Sequence, residues 1–132
     1  MSNEQNKALV TKTWQALLGG DPEGALANFS DDVSWWISGT LDGVSGVKKG
    51  KQQVLAFLGG VAGAFPKGLK SEIQRVHADG DTVILELVNR GTSATGKAYE
   101  NEYCFVFDLR GGKIQAIREY VDLEKAKIAL AP

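Results

Sequence analysis

Apolar and polar positions alternate with two different periods along this chain, and the change of period divides it in two. In "SNEQNKALVTKTWQALLGGD", Val10, Trp14, Leu17 and Leu18 recur at helical spacing while Lys7, Lys12 and Gln15 fall elsewhere, and Gly19-Gly20 ends the run. "DPEGALANF" then begins a short second helix: Asp21 is placed to cap it, Pro22 fits the first helical position, and Glu23 opposes the positive end of the helix dipole. "DDVSWWISG" changes to β-branched and aromatic residues between Asp and Gly, which predicts a strand. "TLDGVSGVKKG" reads as a loop. A third helix follows with Val54, Leu58, Val61, Ala62 and Phe65 on its stripe; Gly59 and Gly60 weaken it and Pro66 ends it.

From Lys70 the period is two. "SEIQRVHA", "TVILELVNRG", "AYENEYCFVFDL" and "KIQAIREYVD" read as strands joined by "DGD", "TSATGK" and "RGG", an antiparallel meander, and "LEKAKIAL" closes as a short helix. Three helices before a run of strands predict an α+β fold in which a curved antiparallel sheet buries one face against the N-terminal helices.

Strand parity then selects the candidate chemistry. In "AYENEYCFVFDL", Tyr99, Asn101, Tyr103, Phe105 and Phe107 share one face, and its aromatic content turns it toward the core. In "IQAIREYVD", Ile117, Glu119 and Val121 share a face, so a carboxylate sits between two aliphatic neighbours beside that aromatic face. Burial disfavours the charged form of such a carboxylate and raises its pKa, unless donors such as Tyr103, Asn101 or a Trp indole stabilise the anion. Glu119, Tyr103 and Asn101 are accordingly the candidate catalytic groups, with Glu119 as general acid or base and the other two as donors to a developing oxyanion. Trp14, Trp35, Ile37, Tyr99, Phe105, Ile117 and Val121 are the candidate walls of a binding cavity. Two other outcomes compete with this one: a structural buried carboxylate, and a bulge that reverses the parity and leaves Glu119 in solvent with Tyr120 inside. Trp35 and Trp36 point to opposite faces, so one of them belongs to the cavity side and the other to the outer side of the sheet or a subunit contact.

Composition narrows the alternatives. A chain of 132 residues, 43% hydrophobic and 23% charged, suits one domain with one main core. Fifteen basic and sixteen acidic side chains nearly cancel, and no basic run is longer than "KKGK", which argues against nucleic acid as a partner. One cysteine and one histidine supply neither an internal disulfide nor a zinc site, so no metal is expected and a reducing, cytoplasmic setting fits. No apolar run approaches the ~20 residues of a membrane span. "GVSGVKKGKQ" lacks the spacing of a phosphate-binding loop, and "GVSGV" is not a nucleophile elbow. Cys104 falls on the face away from the aromatics, and His77 reads as a surface or strand-end side chain beside the "DGD" turn.

The motifs in their order (the G-D turn, D-D-V-x-W, G-x-x-x-G-K, the D-G-D hairpin, G-K-I and R-E-Y-x-D) resemble the SnoaL-like, ketosteroid isomerase-related branch of the nuclear transport factor 2-like superfamily, from about Ala8 to Asp122. The resemblance implies a single domain over residues 1–132, with a cone-shaped curved sheet wrapped over helices and a deep apolar pocket between them. It also implies a homodimer packed through the outer sheet face. A small hydrophobic ligand and no cofactor are expected. The steroid isomerases place a tyrosine where this chain has Thr13, a carboxylate base where it has Ile37 and a protonated Asp where it has Tyr103. The pocket carboxylate of limonene epoxide hydrolases and polyketide cyclases aligns with Glu119, but the arginine and second carboxylate of the hydrolases are replaced on the matching face by Asn101 and Tyr103. The expected function is therefore acid–base chemistry of isomerase, cyclase or hydrolase type on a small hydrophobic carbonyl or polycyclic substrate. The alternative is binding or carriage of such a molecule without chemistry.

Overall fold

The computed structural model describes residues 1–132. Ser2 and Gln5 form a reciprocal capping box that starts α1 (Asn3–Leu18), whose Val10 and Trp14 are buried. The Asp21 carboxylate accepts from the Gly24 N–H at 3.0 Å and starts α2 (Pro22–Leu26) as its sequence predicts. Then come β1 (Phe29–Ile37), β2 (Gly46–Lys49), α3 (Gly50–Ala64), β3 (Lys70–Asp79), β4 (Thr82–Thr92), β5 (Ala98–Arg110), β6 (Lys113–Val121) and α4 (Leu123–Leu130). No helix is long and apolar enough to cross a membrane.

The strands form one curved sheet in the order β2-β1-β6-β5-β4-β3. Two features differ from the sequence expectation. The sheet is not wholly antiparallel, because β1 lies parallel to β6; α3 and the whole meander intervene between them, long enough to return the chain in the same direction. Within the expected loop, Gly46–Lys49 folds back on β1 as a short antiparallel edge strand. Its four residues are too few for a period to be visible.

The concave face carries the main core. Val83, Leu85 and Leu87 of β4, Phe105 and Phe107 of β5, Ile117 of β6 and Trp35 of β1 meet Val10 and Trp14 of α1. Phe105 is its aromatic hub, with its ring centre 4.4 Å from that of Trp14 and stacked at 5.5 Å on Tyr103. On α3 only Val54 is fully buried; Phe57, outside the expected stripe, turns inward, and Ala62 is exposed. The reason is that α3 spans a hollow rather than a filled core, so its inward residues keep some accessible surface.

Candidate functional site

A bulge does occur, and its position decides the parity question. Leu109 pairs with Ile114 but Asp108 with Ala116, so one extra residue of β6 is absorbed ahead of Ile117. Beyond it the register is regular: Ile117 faces Phe107, Glu119 faces Phe105 and Val121 faces Tyr103. Glu119 points to the concave side, 6% exposed, while Tyr120 on the outer face is 44% exposed.

Between the sheet, α3, α4 and the segment 38–45 lies a cavity of about 300 Å³, at the small end of the range for small-molecule sites. Ile37, Phe57, Val61, Phe65 and Val121 form much of its wall, with Val44 at the rim and Ala126 and Leu130 closing it from α4. Its polar side chains are Tyr99, Tyr103 and Glu119.

The Glu119 carboxyl accepts one side-chain hydrogen bond, from the Trp35 indole Nε1–H at 2.9 Å. No buried polar side-chain atom is left without a partner, so its other oxygen is open to the cavity. Burial is the main influence on this group and pushes its pKa up to about 7; the Trp35 bond and the charge of Lys48 oppose the rise without cancelling it. Both protonation states are therefore populated near neutral pH.

The phenols form an ordered chain. The Asn101 amide oxygen accepts from the Glu102 backbone N–H at 2.9 Å, and its nitrogen donates to the Asp122 carbonyl at 2.9 Å and to the Tyr99 oxygen at 2.8 Å. Two backbone groups thus fix which way the amide points, and both of its N–H hydrogens are used. Tyr99 receives one of them and shares a hydrogen bond with Tyr103, 2.5 Å from oxygen to oxygen, that either phenol can donate. When Tyr99 donates it, the Tyr103 hydrogen is left for the cavity; the Asn89 side chain also hydrogen-bonds the Tyr103 hydroxyl. Burial raises the pKa of both phenols above the ordinary tyrosine value, which keeps them protonated and able to donate.

Of the expected site residues, the structure brings Glu119, Tyr103, Tyr99, Ile37 and Val121 to the cavity wall. Asn101 does not present a donor to the cavity, because Tyr99 and backbone groups at Glu102 and Asp122 claim its amide. Trp14, Phe105 and Ile117 are corrected from cavity wall to core, since α1 packs directly on that end of the concave face. Trp35 also lies behind the wall, where its contribution is the indole bond to Glu119, whereas Trp36 sits on the outer face against Tyr120 at 5.5 Å. Sequence reasoning missed Phe57, Val44 and the α4 wall. For α4 a signal existed: Ala126 and Leu130 are four apart behind the N-cap Asp122. Cys104 is half-buried on the outer face, where burial raises its pKa, and His77 is exposed, 3.8 Å from Glu86.

The SnoaL-like domain model matches residues 10–117. The chain belongs to the SnoaL-like family. Its fold is that of the nuclear transport factor 2-like superfamily. Bal32a, from a soil-derived mobile gene cassette, is 25% identical, with 98% of each chain covered and a TM-score of 0.89. A protein from Jannaschia named as a SnoaL-like polyketide cyclase is 18% identical over 98% of this chain and 94% of its own, with a TM-score of 0.84. A Bacillus subtilis protein named as an isomerase is 21% identical over 98% and 95%, with a TM-score of 0.85. The last two likenesses concern the fold alone. No curated protein matches the SnoaL-like chain in sequence.

Proposed function

We propose that this SnoaL-like protein is an acid–base enzyme that needs no cofactor and acts on a small, mostly apolar carbonyl or polycyclic substrate. The observation that carries the proposal is the Glu119 carboxyl, desolvated and held by one indole hydrogen bond, with an oxygen open to an apolar cavity that also holds a phenol donor. In its ionised form Glu119 takes a proton from a carbon next to a carbonyl. The bonding electrons move to the carbonyl oxygen, Tyr103 donates a hydrogen bond to the resulting enolate, and Glu119 returns the proton at the same or another carbon. The names of the cyclase and isomerase of like fold agree with chemistry of this kind.

Tyr103→Phe removes that donor. Turnover is expected to fall by a factor on the order of 10²–10³, the usual cost of one oxyanion donor. The melting temperature should stay within a few degrees of wild type, because Tyr99 keeps its bond from Asn101. A steady-state assay of a turned-over substrate paired with a thermal melt checks both; full activity of the variant removes Tyr103 from the mechanism.

A second reading, carriage of a small hydrophobic metabolite without chemistry, is favoured by one observation: Glu119 is the single carboxylate on the wall, with no second acid or base beside it except two neutral phenols. Both readings need the cavity to take a ligand, and Gly60 tests that. It lies on the cavity wall in α3, and nothing is within 4 Å of a Cβ built there. Gly60→Leu should stabilise the protein by about 1 kcal/mol through helix propensity while weakening ligand-induced thermal stabilisation at least tenfold in apparent affinity. Unchanged ligand affinity would mean that the cavity is not the binding site. A ligand recovered chemically unchanged from wild type, with Glu119→Gln altering affinity alone, selects the carrier.

The reading includes a homodimer packed through the outer sheet face and a cytoplasmic setting. Exposed Tyr120 against Trp36 on that face supports the dimer; sedimentation showing only monomer at micromolar concentration would count against it.

A further inference from the structure

Lys48 stands on β2 opposite Trp35, and the concave face of the sheet therefore runs from Lys48 through Trp35 toward β6. The same Trp35 holds the Glu119 carboxyl. The Lys48 ammonium donates to the Val44 carbonyl and, at 3.4 Å, to the Gly46 carbonyl, and it lies 4.8 Å from the centre of the Phe57 ring. Val44 belongs to the segment at the rim of the cavity and Phe57 to α3; both line it. One half-buried side chain thus ties three walls together. It forms no ion pair with any carboxylate, although its partial desolvation would favour one.

We propose that Lys48 is a positioning residue for Glu119: its ammonium latches the segment over the cavity to α3, across from the Trp35 that holds the carboxyl. The inference rests on the reading of Glu119 as the proton carrier and explains why that proton is held loosely enough to be useful. From β1 the carboxyl meets the Trp35 indole, from β5 the neutral Tyr99 and Tyr103 phenols, and from α3 and α4 only apolar side chains. Lys48 on β2 is the remaining ionised group, and it acts against burial by favouring the carboxylate. Without it the carboxyl stays protonated to higher pH and is a poorer base at neutrality. The rim would also lose its hydrogen bond at Val44.

The test needs no substrate. The Nε1–H resonance of Trp35, which reports on its Glu119 acceptor, is followed through a pH titration in wild type, Lys48→Met and Lys48→Arg. Wild type should show a midpoint of about 7. Lys48→Met should move it upward by roughly half a unit or more, and Lys48→Arg should restore it, since the partner is a charge and not an amine. Amide exchange at Val44 and Ser45 should quicken in Lys48→Met and recover in Lys48→Arg. A Lys48→Met midpoint equal to wild type overturns the proposal, and so does an equal upward shift in both variants, which would trace the effect to altered packing. A wild-type midpoint in the ordinary carboxylate range instead refutes the reading of Glu119, and a difference between wild type and Lys48→Met would still register the charge. If Lys48→Met does not fold, Lys48→Gln carries the same comparison.

Discussion

Glu119→Gln is expected to lower turnover by a factor on the order of 10²–10⁴ and, at alkaline pH, to make the protein more stable. The two effects share a cause. Glutamine keeps an oxygen to accept the Trp35 indole bond, so the packing survives, but it neither gives nor takes a proton. The stability gain follows from linkage. The native carboxyl titrates near 7 against an ordinary value of 4.5. Below about pH 4.5 the group is protonated in both folded and unfolded chains, and the native state carries no penalty. As pH rises from there the unfolded chain releases its proton first, and native stability falls until the folded carboxyl also ionises near 7. Above that the loss is complete, about 3 kcal/mol, equivalent to a melting shift on the order of 10 °C for a chain of this size. Glutamine is free of that penalty. Melting curves of the two proteins should therefore coincide at acid pH and separate in alkaline buffer, with the variant higher. Equal melting temperatures at every pH would mean that Glu119 ionises as readily in the folded chain as in the unfolded one. A residue that destabilises its own fold at working pH is what a site kept for chemistry looks like.

Asn101→Leu should do the reverse, with a large loss of stability and a loss of function that follows from it. The side chain is fully buried and serves three partners: the Glu102 N–H, the Asp122 carbonyl and the Tyr99 hydroxyl. Leucine of similar volume leaves the N–H and the hydroxyl oxygen without their partner, while the Asp122 carbonyl keeps its bond from the Ala126 N–H in α4. The expected cost is about 3 kcal/mol, read as a lower midpoint in a urea melt with an unchanged slope. Function suffers through geometry. Tyr99 loses the Asn101 donor, and the junction of β6 with α4 loses one of its ties. Tyr103→Phe, by contrast, should lose activity and keep stability. If Asn101→Leu melts like wild type and fails only in catalysis, the amide is a catalytic donor after all and the structural role assigned to it is wrong.

The difference between these two residues also marks where the sequence stopped being informative. Tyr99, Asn101, Tyr103, Phe105 and Phe107 share the inner face because a strand alternates, and that much follows from the order of residue types. Glu119 beside Phe105 follows from the same rule, although a bulge ahead of Ile117 lies in the way and only its position preserves the parity. Which inner-face residues reach the cavity is a different matter. That depends on where α1 stops filling the concave side and α3 and α4 begin to span it, a relation between distant elements with no local period. Trp14, Phe105 and Ile117 therefore read the same as Tyr103 and Val121 in the sequence but are core in the structure. The amide of Asn101 is spent on backbone groups at Glu102 and Asp122, and neither contact has a residue-type signature. Lys48 sits in a glycine-rich stretch whose four-residue strand shows no alternation. The parallel β1–β6 pairing was equally hidden, since two strands some eighty residues apart carry no mark of the direction in which they meet.

The proposed chemistry depends on one property, a carboxyl at position 119 that keeps its proton above the ordinary range because an apolar hollow surrounds it. The direct measurement is a pH titration of the Glu119 side-chain carboxyl carbon by NMR in selectively labelled wild-type protein, with Glu119→Gln fixing the assignment. A midpoint of about 7 is predicted. A midpoint near 4.5, the value of a solvated glutamate, would contradict the account.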